Sequence, residues 1–105
     1  MLMNLWELLM IRNQIFEALE NLKDEAHRQY KAKLIGIFGS YARGEAKEES
    51  DIDILVEFQK GATLLDLVGL GNFLEERLRH KVDVVSHRAV RQELRSHIYS
   101  GIVYL

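Results

Sequence analysis

Between Lys33 and Phe58 the chain carries two apolar runs, KLIGIF and IDILVEF, each too short for a helix and rich in β-branched residues. Such runs read as buried strands. Gly39-Ser40 closes the first run, and Asp51-Ile52-Asp53 opens the second after a polar stretch. Residues two apart in a strand project from the same face, so Asp51 and Asp53 point together, away from Ile52 and Ile54. A third short run, KVDVVS at 81–86, again sets an acid, Asp83, between apolar neighbours.

Helical periodicity surrounds these strands. Leu5, Leu8, Leu9, Ile15, Phe16, Leu19, Leu22 and Ala26 recur at three- and four-residue spacings and predict an amphipathic helix over about residues 4–30. Trp6 and the leucines of this helix are expected in the core. Leu64, Leu67, Val68, Leu74 and Leu78 predict a second helix over 64–79, with Gly69 and Gly71 each costing it about 1 kcal/mol relative to Ala. A short turn over 40–44 capped by Ser40, a third helix over 88–98 and a terminal strand over 102–105 complete the order. The expectation is one α/β (α+β) domain over 1–105, a three- to four-stranded mixed sheet covered by helices. The helical link between the second and third strands suits a parallel crossover, whereas the first and second strands can pair either way.

Composition narrows the function. A net charge of −2 argues against direct nucleic-acid binding, which calls for a basic excess. With no cysteine there is no disulfide framework, thiolate metal site or thiol nucleophile. The first 20 residues are interrupted by Glu7, Arg12 and Glu17, so neither a signal peptide nor a membrane span is expected, and the cytoplasm is the expected location.

If the strand carrying Asp83 lies beside that carrying Asp53, three carboxylates converge, and burying them calls for a cation. Asp51 alone reads equally well as a loop residue or cap, and Asp83 alone reads better as an ordinary strand-end acid; their spacing together favours metal. Oxygen donors without His or Cys suit a hard ion, Mg²⁺ or Mn²⁺. Two such ions about 3.5–4 Å apart can activate an attacking oxygen and stabilise a leaving one. Gly39 permits close backbone approach, Ser40 offers a hydroxyl, and Arg43 a cation for phosphate. His27, His80, His87 and His97 lack metal spacing, and Tyr41 reads either as packing of the turn or as a neighbour of a ligand held there. Glu45, Glu48 and Glu49 read as a solvated loop.

The stretch GSYARGEAKEESDIDILVEF, with a further Asp on a later strand, resembles the signature of the DNA polymerase β-type nucleotidyltransferases. It is similar to their smallest branch, the minimal nucleotidyltransferases, antitoxins paired with HEPN-domain RNase toxins. Gly39, Ser40, Arg43, Asp51, Asp53 and Asp83 all fit the motif. The resemblance implies a nucleotidyltransferase fold and a site where ATP sets its triphosphate on the Gly39-Ser40 turn. Asp51, Asp53 and Asp83 would hold two Mg²⁺ ions, with Asp83 also helping to activate an acceptor hydroxyl. It further implies a HEPN toxin as partner, silenced by AMP transferred to its tyrosine. The competing reading is an antitoxin that masks its partner without catalysis. Homodimer and hetero-oligomer are both open. The chain's length leaves no room for an acceptor-binding domain, which disfavours free small molecules or RNA as acceptors.

Overall fold

The computed structural model describes residues 3–105. Helix α1 (Leu5–Tyr30) starts at Asn4, whose side-chain oxygen accepts the Glu7 N–H at 2.8 Å. It ends at Lys31, which takes a left-handed conformation (φ 55°) and turns the chain directly into strand β1 (Ala32–Phe38). Leu8, Ile15, Leu19, Leu22 and Ala26 form its buried stripe and join the core against β1 and helix α3 (Leu64–Leu78). The expected core positions Leu5 and Trp6 are instead 65% and 71% exposed. They lie on the first turn of α1, ahead of Leu8, the first buried residue of its stripe.

Strand β2 (Ile52–Phe58) pairs antiparallel with β1, settling the order the sequence left open. Strand β3 (Val82–Ser86) runs parallel to β2 after the α3 crossover, and β4 (Val103–Tyr104) runs antiparallel along the other edge of β1. The result is the expected mixed sheet, four strands in the order β3-β2-β1-β4. An irregularity between Leu34 and Gly36 shifts the β1 register by one residue. Without that bulge, Leu34 and Ile37 would face opposite sides; with it, both reach the core beside Val56 and Ile54.

Thr63 and Asp66 form a capping box at the start of α3. The buried residues of that helix are Leu70, Phe73 and Leu74, not the full expected stripe: Leu64 and Val68 are exposed. The helix carries more apolar residues than one face can bury, so periodicity alone cannot choose among them. Gly69 has a packing reason, because a β-carbon there would lie 2.8 Å from the Tyr30 ring. The expected helix over 88–98 is divided: a 3₁₀ turn (His87–Ala89) precedes α4 (Gln92–Tyr99). On the sheet face away from the main core, Leu55 is fully buried and the 3₁₀ turn packs on β2.

Candidate active site

Strand β1 and the short helix α2 (Gly39–Arg43) meet at Gly39, whose φ of 74° lies in the left-handed region. Because Phe38 pairs with Asp53 across the sheet, this bend sits against the start of β2. A β-carbon on Gly39 would fall 2.0 Å from Asp53 Oδ2, so the glycine is required by the backbone angle and by the neighbouring carboxylate. Phe38, not Ser40, occupies the cap position of α2. The expected Ser40 cap is therefore corrected: the turn begins one residue earlier, and Ser40 lies inside it. Gly44 closes α2 with φ 73°, its N–H reaching the Ser40 and Tyr41 carbonyls.

The parallel register pairs Asp53 directly with Asp83, so these two acids share a sheet face. Asp51 precedes β2 and is exposed, as is Asp83, while Asp53 is half-buried beneath the Gly39 turn. Burial chiefly, then the negative charges of Asp83 and Asp51, push the Asp53 carboxyl up to about 6, against the opposing pull of Arg43. Arg43 is itself in an exposed ion pair with Glu45 at 3.2 Å. Glu45 is thus engaged by a site residue, while Glu48 and Glu49 are solvated as expected.

Among the described residues, no three His, Cys, Asp or Glu side chains stand as a ready ligand set for a metal. The donor chemistry nevertheless fits a hard divalent cation. The side chains at issue offer only carboxylate oxygens, and the pull of Arg43 does not restore Asp53 to its ordinary ionisation. The three acids, the turn and Arg43 thus gather at one end of the sheet.

Sequence reasoning missed one contact here. The Tyr41 hydroxyl lies 3.1 Å from His80 Nε2, two side chains 39 residues apart. No local pattern connects positions so far separated. Burial and the negative charge of Asp51 raise the Tyr41 hydroxyl above its ordinary pKa. His87 lies on the 3₁₀ turn and is hydrogen-bonded to the Tyr99 hydroxyl. A small cleft of about 250 Å³ beside the acids is lined by Glu48, Glu49, Asp51, His80 and Lys81. A larger cavity, about 590 Å³, lies toward the opposite end of β1 beside Lys23, His27 and Tyr104. Its volume exceeds that of the cleft, but it contains none of the clustered acids.

A family model for the nucleotidyltransferase domain matches residues 19–104. Protein adenylyltransferase MntA of Thermococcus cleftensis is 39% identical over 83 residues, 79% of this chain and 84% of that protein. A candidate protein adenylyltransferase of Methanocaldococcus jannaschii is 46% identical over 78 residues, 74% of this chain and 91% of the relative. Among solved structures, a candidate minimal nucleotidyltransferase superposes with a TM-score of 0.72 at 37% identity, covering 93% of this chain and 95% of that one. A toxin–antitoxin structure with AMP-PNP superposes at 0.65 with 29% identity, covering 81% and 70%. Fold, motif and relatives agree: the chain belongs to the nucleotidyltransferase domain family, in its minimal branch, and is an enzyme of nucleotidyl transfer.

Proposed function

We propose that this chain, with residues 1–105 acting as one minimal nucleotidyltransferase domain in the cytoplasm, is an antitoxin that transfers AMP from ATP to a tyrosine hydroxyl of a HEPN RNase toxin. The observation that carries this reading is Asp53, in contact with the Gly39 turn and in register with Asp83 on the neighbouring strand. In that arrangement a glycine bend able to receive phosphate lies beside clustered carboxylates. Relatives named as protein adenylyltransferases, and structural neighbours that are toxin–antitoxin complexes, support a protein acceptor.

In this reading the Gly39-Ser40 turn receives the triphosphate, with Ser40 donating its hydroxyl and Arg43 adding positive charge. Asp51, Asp53 and Asp83 would hold Mg²⁺, which when bound neutralises phosphate charge and lowers the pKa of a coordinated hydroxyl. Asp83, the more exposed partner of Asp53, would draw the proton from the acceptor hydroxyl. The hydroxyl oxygen then forms a bond to the α-phosphorus as the bond to pyrophosphate breaks in line. Such transfer depends mainly on positioning and charge neutralisation, which a small site can provide.

The test is incubation with Mg²⁺, α-labelled ATP and the co-encoded partner protein, read by the mass of the partner. A gain of one or more AMP groups on tyrosine is expected. No label with any nucleotide, together with unimpaired neutralisation by Asp51→Asn/Asp53→Asn, would overturn catalysis in favour of masking.

A further inference from the structure

We propose that Tyr41 and His80 are positioning residues, a clasp that fixes the Gly39-Ser40 turn against the two strands carrying the acids. The proposal rests on the nucleotidyl-transfer reading and adds to it a contact from Tyr41, within the signature stretch, to His80, which lies outside it.

Tyr41 follows Ser40 in the turn and is 2% exposed. Its hydroxyl lies 3.1 Å from His80 Nε2, and the two rings meet edge to face with centroids 5.7 Å apart. His80 Nδ1 lies 3.0 Å from the Lys81 carbonyl oxygen. A carbonyl oxygen only accepts, so Nδ1 carries the proton, and in the neutral ring Nε2 accepts from the tyrosine. The same Lys81 carbonyl accepts the Ile52 N–H at 3.0 Å. Ile52 stands between Asp51 and Asp53, and Lys81 is two residues before Asp83.

One hydrogen-bonded path therefore runs from the residue beside Ser40, through His80, to Ile52 between Asp51 and Asp53 and to the entry of β3. A buried tyrosine hydroxyl needs some partner, and satisfaction alone would explain a single bond. It does not explain why both ends of the path fall on the segments that carry the site. Displacements on the order of 1 Å at a reacting centre cost about a hundredfold in rate, so a tether at this place acts on catalysis more than on the fold.

The experiment compares Tyr41→Phe, His80→Ala, His80→Gln and the Tyr41→Phe/His80→Ala double variant. It measures kcat and KM for ATP in transfer to the partner protein, together with hydrogen exchange of backbone amides. Each of Tyr41→Phe and His80→Ala should lower kcat by roughly tenfold or more, with KM for ATP within about twofold. The double variant should be no slower than the slower single. His80→Gln, whose amide oxygen can accept from Tyr41, should recover most of the loss. Exchange should quicken over residues 39–45 and at Ile52 but not in α1. Wild-type kcat in both single variants, or losses that multiply in the double, overturns the clasp. If wild type transfers no nucleotide, the transfer reading fails, and exchange alone decides the tether: quickening confined to those amides supports it, and unchanged exchange overturns it.

Discussion

Gly39 and Asp53 are in contact so close that a β-carbon on the glycine would lie 2.0 Å from the carboxylate oxygen. The bend and the acid therefore cannot be varied independently. Gly39→Ala should abolish transfer, by roughly a hundredfold or more, because either the turn or the carboxylate must move. Gly44→Ala is the matched control. It has the same left-handed strain (φ 73°), but its β-carbon would meet only Leu5 Cδ1, at 3.8 Å. Both variants should lose roughly 1 kcal/mol to backbone strain, whereas only Gly39→Ala should lose activity. Melting curves and transfer assays on the pair separate strain from site disruption.

The Asp53 carboxyl, raised from 3.8 to about 6, makes stability depend on pH in an unusual direction for an acid. The folded chain holds this proton more tightly than the unfolded chain does. The associated stabilisation is fully present below about 3.8 and is lost as pH rises through about 6. Asp53 remains substantially solvated, so the effect is discounted to roughly 1 kcal/mol. Without divalent cation, Asp53→Asn should thus be the more stable protein at pH 7, and the difference should vanish near pH 4. Urea unfolding across that range measures it. Added Mg²⁺ should raise the melting temperature of wild type at pH 7 and leave Asp53→Asn nearly unchanged.

Asp83→Asn removes the negative charge that acts on Asp53 more strongly than that of Asp51. Its fold should be intact or slightly stabilised at pH 7, because like-charge repulsion across the β2–β3 pair is relieved. Transfer to the partner should nevertheless fall to background. Calorimetry and the mass assay check the two halves, and a clear loss of thermal stability without metal would contradict this account of the charges.

The strands and the long helix were legible because each is governed by local periodicity. Ile52, Ile54 and Val56 show their face in the alternation itself, and the meeting of Asp53 with Asp83 followed once β3 was placed beside β2. What sequence did not disclose was decided across the fold. The β1 bulge depends on aligning Ile37 with Ile54 of the neighbouring strand. Trp6 looked like a core residue because hydrophobicity alone does not say which apolar residues of a helix are covered. The surplus leucines of α3 posed the same ambiguity. The Tyr41–His80 contact joins two separate elements and leaves no trace in local pattern.

The two glycines of α3 have opposite roles although both weaken the helix in isolation. A β-carbon at Gly71 would meet nothing within 4 Å, whereas one at Gly69 would lie 2.8 Å from Cε1 and 3.1 Å from Cδ1 of Tyr30. Replacing glycine by alanine inside a helix gains about 1 kcal/mol in propensity, and Gly71→Ala should realise most of it. At Gly69 that gain is opposed by overpacking, typically about 1–3 kcal/mol where neighbours cannot yield. Tyr30 has limited freedom to yield, since its ring is tilted against Phe73 with centroids 5.3 Å apart. Gly69→Ala should therefore lower the melting temperature while Gly71→Ala raises it. A Gly69→Ala/Tyr30→Leu double variant, which removes the obstructing ring, should lose less than the sum of its parts. Additive losses in that cycle would show that Tyr30 is not what holds Gly69 to glycine.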